Sequence, residues 1–444
     1  MLRGTMENII KKLHEDKVTF VNLQFTDILG TLKEVTIPAS KIEDCLRYGT
    51  WFDGSSIEGF ARIHESDLYL KPDISTYAII PWLSNGEEKT ARFICDIYKP
   101  DGNPFEADPR QILKKALSEA QELGYQFMLG PEVEFFLFTK DGDNIKPLDN
   151  RGYFDLSGEF AQQIMRDIAK NLEYFGIDVE ATHHEVAIGQ FEVDFRYGDA
   201  LTTADRLLTL RSTVKAIAQR YNLIASFMPK PILGINGSGM HVHQSLYDFK
   251  AKRNAFYDEN DKYNLSKLAY SFIAGQLKHI KEICAVLCPT VNSYKRLVAG
   301  YEAPVYISWA RINRSALIRI PKWFEEKKES ARIELRCPDP AANPYLAFAL
   351  MLSAGLSGVK SNLVPPEPVE EDLYHFDDVK LKEFNIETLP SSLLEAIQYF
   401  KSSELSKKTF GDVLFRRYIR IKEREWNEFK IQVTKWELEQ YLDI

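Results

Sequence analysis

Charged and imidazole side chains recur at every second residue in four short stretches of the chain. The stretches are EVE at 132–134, EVD at 192–194, HVH at 241–243 and RIELR at 332–336. In a β-strand, successive side chains point to opposite faces, so each stretch would carry a polar face over an apolar one. A sheet lined with acids and arginines is costly unless the charges are paired, and divalent metal ions together with phosphate would pair both signs. The pattern indicates an enzyme.

The acids and histidines of this pattern make a candidate metal site. The candidate ligands are five carboxylates and one imidazole: Glu132, Glu134, Glu185, Glu192, His241 and Glu334. Such ligands suit Mg²⁺ or Mn²⁺ and argue against a zinc site built from thiolates. Any single acid is more often a surface or salt-bridged carboxylate, but recurrence on four candidate strands favours a shared site. Taken alone, His183, His184 and His243 are interpreted as ordinary structural histidines.

Two further features could bind anions. The segment NGSGM at 236–240 has glycines on both sides of a serine, which would let backbone N–H groups approach a ligand, although a plain turn is the commoner meaning of such a segment. Arginines also fall in apolar or strand-like surroundings: Arg296, Arg314, Arg319, Arg332 and Arg336. The guanidinium fork fits a triphosphate and an amino-acid carboxylate, and salt bridges to nearby glutamates are the alternative for each one.

The elements that would position these side chains follow from alternation and turn residues. Strands are predicted at 18–25, 32–37 and 91–98, and Asp108 with Pro109 predicts the start of a helix that runs to about residue 124. A turn-rich stretch before it predicts a domain boundary near residue 104. Beyond the boundary, strands alternate with helices predicted near 157–175, 202–221, 265–287, 344–358 and 412–441.

Composition excludes several classes of protein. With 444 residues, 45% of them hydrophobic, the chain can bury a large core and form two or three domains. The net charge of −8 and the lack of a basic stretch interleaved with aromatics argue against nucleic acid as a partner. No segment is apolar for long enough to span a bilayer, so we expect no membrane partner and a cytoplasmic location. The five cysteines lack CxxC spacing and are expected to be buried thiols.

Several motifs recur in order along nearly the whole chain: FDGSS at 52–56, NGSGMHVH at 236–243, NSYKRL at 292–297, GYEAP at 300–304, NRS at 313–315 and RIELRCPDPAANP at 332–344. Together they resemble the signatures of type I glutamine synthetase and its feedback-inhibited alpha subclass. The resemblance implies an α+β fold. A β-grasp domain would occupy residues 1–104, and a catalytic domain with a curved antiparallel sheet, flanking helices and a C-terminal helical tail would occupy 105–444. The implied reaction joins ammonia to L-glutamate through γ-glutamyl phosphate, using ATP and two or more Mg²⁺ or Mn²⁺ ions per active site.

The resemblance also implies roles for individual residues. One metal ion would be held by Glu134, Glu185 and Glu192, and the other by Glu132, His241 and Glu334. Glutamate would be held by Asn236, Gly237, Arg296, Glu302 and Arg336. ATP would be met by Glu180, His243, Ser245, Arg314, Arg319 and Arg332. The residues implied to act on the reacting groups are Asp53, Glu302 and Arg314, with Asp53 reaching the active site of a neighbouring subunit and Glu302 on a mobile flap.

The implied partners are glutamate, ammonium, ATP and further copies of the chain. Family members form dodecamers of two hexameric rings, with active sites shared between subunits. The aromatic pattern of residues 426–442 fits a tail that inserts into the opposite ring, and packing on its own domain is the alternative. Arg62 resembles an arginine that senses glutamine in the feedback-inhibited subclass. Tyr374 lies near a tyrosine that another subclass adenylylates, but its surroundings differ, so we predict no adenylylation.

Some positions depart from the family pattern. Ile188 and Phe191 replace a usual proline and histidine, Ala299 replaces a proline beside the flap, and Ile312 replaces an arginine. The loop 322–330 is longer and more charged than usual, which puts its nucleotide contacts in doubt. Two alternatives to glutamine synthesis therefore stay open: ligation of glutamate to another amine, and a catalytically silent scaffold or sensor. Asp53 and Glu302 favour ammonia, and the complete metal set opposes the silent homologue.

Overall fold

The computed structural model describes residues 5–57, 59, 66–142, 144–324 and 326–444. Arg62, with its predicted role in sensing glutamine, lies outside the described residues. In the described part of the chain, no helix is long and apolar enough to cross a membrane. All five cysteines lie within it, and each is a buried free thiol, as the sequence predicted.

The N-terminal sheet has five strands in the order β2-β1-β5-β4-β3. Its elements are α1 (Met6–Glu15), β1 (Val18–Thr26), β2 (Leu32–Pro38), α2 (Ile42–Tyr48), β3 (Thr50–Asp53), β4 (Asp67–Ile79) and β5 (Lys89–Tyr98). The central pair β1 and β5 is parallel, and the other neighbours are antiparallel. Val21, Leu23 and Phe25 alternate along β1 and are buried, which is why this segment forms a strand over the core.

A larger sheet follows, in which β6 is the central and longest strand. Its strands are β6 (Tyr125–Asp141), β7 (Asn144–Pro147), β8 (Val179–His184), β9 (Gln190–Phe195), β10 (Gly198–Asp199), β11 (Leu223–Ser226), β12 (Val242–Asp248), β13 (Arg253–Asn254), β14 (Tyr306–Ala310), β15 (Ala316–Arg319) and β16 (Ile333–Leu335). The main path runs β14-β15-β16-β12-β6-β9-β8, and every neighbouring pair on it except β14 with β15 is antiparallel. The predicted α+β fold with an antiparallel sheet is confirmed.

Helices cover the large sheet and connect its strands. They are α3 (Pro109–Glu122), α4 (Glu159–Tyr174), α5 (Ala200–Arg220), α6 (Lys267–Leu287), α7 (Ser293–Arg296), α8 (Pro344–Lys360), α9 (Asp378–Glu383), α10 (Leu393–Lys401), α11 (Glu404–Phe429) and α12 (Lys435–Tyr441). Side chains cap two of the longer helices: Asp108, as predicted, accepts from the N–H of Arg110, and Asn343 accepts from that of Tyr345.

The predicted single helix over 412–441 is wrong. The structure has α11, which begins at Glu404 and is interrupted at Gly411 (φ 72°), followed by the separate helix α12. Thr434 and Glu437 form a reciprocal capping box that begins α12. The segment between the helices contains the β-branched residues Ile431, Val433 and Thr434, which lower helix propensity.

Helices α6 and α8 cross with their backbones in contact. A Cβ added to Gly275 of α6 would overlap the carbonyl oxygen of Ala354, and one added to Gly358 of α8 would overlap that of Ser271. Gly355 likewise leaves room for the ring of Phe272. Only glycine permits this approach, so the sequence fixes the spacing of the two helices.

A buried arginine joins the N-terminal sheet to the helices of the larger domain. Arg110 on α3 is 2% exposed and donates to Asp73 and Asp96 of the N-terminal sheet, each at 2.8 Å. It also donates to both carboxylate oxygens of Asp205 on α5, at 3.1 and 2.8 Å. Tyr345 on α8 donates to the same Asp205 carboxylate at 2.6 Å. One guanidinium thus serves three carboxylates across two layers.

Candidate active site

The large sheet brings the predicted acids together by strand register. Glu132 on β6 lies opposite Asp194 on β9, and Glu134 lies opposite Glu192. On the other side of β6, His243 of β12 lies opposite Glu334 of β16. The polar positions of strands that are distant in sequence therefore share one face of the sheet.

One cluster on this face contains Glu132, His243 and Glu334, with one ligand atom from each within 4.8 Å of the others. His243 Nε2 lies 2.7 Å from Glu132 Oε1. Arg332 donates to His243 Nδ1 at 3.2 Å, which leaves Nε2 as the nitrogen that carries the proton to Glu132. His241 Nδ1 lies 3.2 Å from Glu132 and 3.7 Å from Glu334, so both histidines of the HVH motif adjoin this cluster.

The second cluster contains His183, Glu185 and Glu192. His183 Nε2 lies 3.1 Å from Glu185 and 3.5 Å from Glu192. Sequence reasoning missed His183 because a lone histidine has no distinctive spacing, although its position two residues before Glu185 on the end of a strand was a usable signal. The predicted ligand Glu134 lies beside this cluster, since its charge and that of Glu185 act on each other.

Glu134 is held by Gln190, which sequence reasoning did not single out, and by the glycine segment 236–240, which it did. Its Oε2 accepts hydrogen bonds from Gln190 Nε2 at 2.8 Å and from the backbone N–H of Gly239 at 2.9 Å. Gln190 also donates to the carbonyl oxygen of Gly237 at 3.1 Å. The glutamine therefore ties the carboxylate to the glycine loop 236–240 and fixes its orientation.

The glycine loop lies close against charged side chains. A Cβ on Gly237 would overlap the carbonyl oxygen of Pro229, and one on Gly239 would lie 2.7 Å from the guanidinium of Arg296 and 3.2 Å from the carboxylate of Glu134. Asn236 at the head of the loop donates to the carboxylate of Glu302 at 3.1 Å. The loop therefore joins the metal-ligand candidates to the predicted flap.

The arginines are held by the same acids and by backbone carbonyl groups. Arg319 and Arg336 donate to the two oxygens of the buried Glu334, at 2.5 and 2.6 Å. Arg296 donates to the carbonyl oxygens of Cys337 at 2.7 Å and Arg336 at 3.2 Å. Because Arg296 has no carboxylate among its hydrogen-bond acceptors in the described residues, its charge is directed at the cavity that it lines.

Two cavities meet on the polar face. The smaller, of about 330 Å³, is lined by the whole second cluster and by Glu132 and Glu334 of the first, together with Glu134, Asn236, Gly237, His241, Arg296, Glu302, Arg314, Arg319 and Arg336. The larger, of about 680 Å³, is lined by Glu180, His243, Ser245 and Arg332 and by Lys327, Glu329 and Ser330 of the unusual loop. Glu132 and Asp194 line both cavities. Asp53 lines neither of them: it is exposed at the end of β3, where its carboxylate accepts from the N–H of Ser55.

Comparison with known families matches both parts of the chain. The profile described as "Glutamine synthetase, beta-Grasp domain" matches residues 17–100, and "Glutamine synthetase, catalytic domain" matches residues 106–441. The chain belongs to the glutamine synthetase family. It is a ligase that forms glutamine from glutamate and ammonia in an ATP-dependent reaction.

Glutamine synthetases from distant organisms resemble the chain over its full length. The enzyme of Clostridium saccharobutylicum is 52% identical over 100% of both chains, and that of Thermotoga maritima is 50% identical over 99% of both. Among solved structures, the chain is similar to one titled "GmaS/ADP complex-Conformation 1", with 32% identity, a TM-score of 0.90 and coverage of 99% and 100% of the two chains. A second, "Apo GmaS without ligand", is 33% identical with a TM-score of 0.88.

The electrostatics of the glutamine synthetase site fit divalent cations. Burial raises the pKa of Glu134 to about 8 and that of Glu192 to about 11, and the neighbouring carboxylates of Glu185 and Glu134, respectively, add to the rise. Burial also acts on Glu132, but hydrogen bonds from His241 and His243 outweigh it and hold the pKa of this carboxyl well below its usual range. Closely spaced oxygen ligands that repel one another are what a divalent cation pairs.

We expect the free energy of unfolding of the metal-free protein to fall as the pH rises from about 4.5 to about 8, because of the raised pKa of Glu134. In this window the folded state keeps a proton that the unfolded state releases, so the free energy of unfolding falls by up to about 1.4 kcal/mol per pH unit for this group. Mn²⁺ replaces the proton, so the rise in Tm that it produces should grow with pH. Thermal melts with chelator and with Mn²⁺ at several pH values test this.

Glu134→Gln is the matched variant, because it keeps the shape and the acceptor oxygen but removes the titrating group. The chelator-treated variant should show a shallower fall of Tm across the same window. A Mn²⁺ effect on Tm that stays constant with pH in the unsubstituted protein would contradict the expectation.

Proposed function

We propose that glutamine is formed at the junction of the two cavities, with glutamate in the smaller and ATP in the larger. The observation that supports this most strongly is that Glu132 and Asp194 line both cavities, so a triphosphate in one can reach a carboxylate in the other. The γ-carboxylate of glutamate is a poor acceptor of ammonia, and transfer of the γ-phosphoryl group of ATP converts it to γ-glutamyl phosphate. Phosphate is then the leaving group when ammonia attacks.

The proposed metal ligands divide between the two clusters. One ion is held by Glu134, Glu185 and Glu192, with His183 beside them, and the other by Glu132, His241 and Glu334, with His243 beside them. The distances and the oxygen-rich donor set support Mg²⁺ or Mn²⁺. When bound, divalent cations neutralise charge on a transferring phosphoryl group.

The remaining polar groups orient the two substrates. The proposed glutamate ligands are Asn236, Gly237, Arg296 and Arg336, and the proposed ATP ligands are Glu180, His243, Ser245, Arg319 and Arg332. Arg314 lines the smaller cavity, and we place it at the transferred phosphoryl group, where a cation stabilises the charge of the transition state. Lys327 also lines the larger cavity and adds a further cation for ATP.

Ammonium must be attracted, deprotonated and protected from competition by water. We propose that Glu302 accepts the proton at the smaller cavity and that Asp53 of a neighbouring subunit assists. The exposure of Asp53 at the end of a strand, outside both cavities of its own chain, supports a role in another subunit. Closure of the flap over the acyl phosphate would exclude water.

We also propose a dodecamer of two hexameric rings, located in the cytoplasm. The C-terminal residues Trp436, Leu438, Tyr441 and Leu442 are each at least half exposed, which supports insertion into another subunit rather than packing on the chain itself. Free cysteine thiols are consistent with a reducing compartment. We place the domain division at residues 104 and 105, between the two matched family domains.

The proposal is tested by supplying ammonium and alkyl amines separately and measuring both phosphate and the amide product. We expect ammonium to be used in preference to methylamine, because Glu302 and Asp53 suit a small cation that must lose a proton. Faster consumption of methylamine or a polyamine would replace glutamine synthesis with amine ligation. Absence of amide product with every amine, in protein that binds ATP, would favour the silent homologue.

A further inference from the structure

In the flap, residues 298–304, the backbone adopts an unfavourable conformation that contacts with other parts of the chain must stabilise. Glu302 has φ 57° and Gly300 has φ 94°, both in the left-handed region that a glutamate rarely adopts. The chain is fixed on either side of the flap, since Leu297 donates to the carbonyl of Ser293 and Leu389 donates to that of Val305. The position of Glu302 therefore depends on contacts made by the few residues between these points.

Lys230 supports the residue that precedes Glu302. Its ammonium group lies 4.0 Å from the centroid of the Tyr301 ring, and it also donates to the carbonyl oxygen of Ile235, next to the glycine loop. Lys230 is only 9% exposed, and a cation over an aromatic face gains strength when water is excluded. Asn292 holds the backbone of Lys230 through two hydrogen bonds of 2.7 and 2.9 Å.

Tyr374 supports the residue that follows Glu302. Its hydroxyl donates to the carbonyl oxygen of Ala303 at 2.9 Å. Burial raises the pKa of Tyr374 to about 12, so the phenol remains a donor even in alkaline solution. The tyrosine itself is anchored, since the preceding Leu373 is buried and its N–H donates to Ser315 Oγ at 3.0 Å.

From these contacts we propose that Lys230 and Tyr374 are positioning residues that clamp the flap on both sides of Glu302. Lys230 acts on the ring of Tyr301, and Tyr374 acts on the carbonyl of Ala303. With both contacts in place, the Glu302 carboxylate stays within 3.1 Å of Asn236 at the mouth of the smaller cavity. The inference rests on the proposed role of Glu302 in accepting the proton of ammonium and shielding the acyl phosphate.

Loss of either contact should change how ATP is used. If the flap opens while γ-glutamyl phosphate is present, a water oxygen attacks the γ-carbonyl carbon, the bond to phosphate breaks, and glutamate is released with inorganic phosphate. The net change is hydrolysis of ATP to ADP and phosphate without formation of glutamine. A loosened flap thus lowers the yield of glutamine per phosphate and weakens the use of ammonium.

The experiment uses the full chain with Lys230→Met and Tyr374→Phe. Each variant should release phosphate in excess of glutamine, so the product ratio, defined as glutamine formed per phosphate released, should fall roughly three- to tenfold. The KM for ammonium should also rise, by more than the KM for ATP changes. Lys230→Arg keeps a cation over the ring and should restore most of the ratio. Tyr374→Phe removes a single oxygen atom, so it keeps the test valid if the lysine variant does not fold.

Matched controls separate the clamp from general effects of the substitutions. Lys262→Met removes an exposed ammonium group 4.8 Å from the centroid of Tyr263, and Tyr270→Phe removes a hydroxyl bonded to Asp261, both outside the active-site cavities. Both controls should keep the ratio of the unsubstituted protein. The clamp is overturned if Lys230→Met and Tyr374→Phe also keep that ratio and the KM for ammonium.

Glu302→Gln distinguishes failure of the clamp from failure of the role proposed for Glu302. If this variant lowers the product ratio while Lys230→Met and Tyr374→Phe do not, only the clamp is wrong. If Glu302→Gln leaves both the ratio and ammonium use unchanged, the proposed role of Glu302 is wrong and the clamp falls with it.

Discussion

Glu334→Ala is expected to abolish glutamine formation and to destabilise the metal-free protein. Glu334 is fully buried and pairs with Arg319 and Arg336, and these cations hold its pKa at about 2 against the opposing effect of burial. Removing the carboxylate leaves buried positive charge without a partner, which costs roughly 3–5 kcal/mol. Loss of a proposed metal ligand and of the arginine orientation should lower kcat by about 10³-fold or more.

The two effects are measured by phosphate and glutamine release and by urea unfolding with and without Mn²⁺. Glu119→Ala is the control, because Glu119 forms a partly exposed pair with Lys360 away from the site and should change the free energy of unfolding by at most about 1 kcal/mol. Glu134→Gln should instead raise the free energy of unfolding, since it relieves repulsion between carboxylates and does not break an ion pair. A kcat for Glu334→Ala within about tenfold of that of the unsubstituted protein, in the presence of excess Mn²⁺, would refute the assignment.

Arg110→Met should have the largest effect on stability outside the site. Methionine occupies much of the same volume, but it leaves Asp73, Asp96 and Asp205 facing one another without the guanidinium that pairs them. Breaking such a buried network costs roughly 3–5 kcal/mol. Because the aspartates lie on both sides of the contact between the N-terminal sheet and the helices, we also expect the two parts of the chain to separate in unfolding.

Urea unfolding followed by two probes tests this expectation. Trp51 reports on the N-terminal part and Trp309 on the larger part, so single-tryptophan versions that keep one or the other can compare the two transitions. Arg47→Met, which removes an exposed pair with Glu43, should leave the transitions coincident. Coincident transitions and an unchanged midpoint in Arg110→Met would show that the network contributes little.

Much of the fold could be predicted because its signals are local. The helix predicted near 344–358 begins at Pro344, since the Asn343 cap and the fixed φ of proline act within one turn. The strand over 18–25 was predicted for the same kind of reason, as its alternation directly reports which face is buried. The end of α11 was not predicted, because the aromatic residues on both sides of the break continue a helical pattern.

The residue types of the site were predicted from the sequence pattern, whereas the division of the acids into two sets came only from the family resemblance. Which histidine approaches which carboxylate depends on the register between β12, β16 and β6, and no local signal encodes it. His243 was assigned to ATP and also lies within the Glu132 cluster, and His183 belongs to the second cluster, for which its position two residues before Glu185 was the only sequence signal. The support of the flap by Tyr374 joins residues 71 positions apart, which only the folded chain brings together.

The contact between α6 and α8 limits how far α6, and the active-site residues that follow it, can shift. Because the glycine backbones are already in contact, neither helix can move closer to the other. The end of α6 therefore has a fixed position relative to α8, and so have the residues that follow it. Cys288 at the end of α6 and Arg296 a few residues later both donate to the carbonyl oxygen of Cys337. A methyl group at Gly275 would thus push α6 away from α8, and the displacement would be carried along the helix to the guanidinium of Arg296. The geometry of the proposed glutamate site would then depend on a helix crossing that lies outside the cavity.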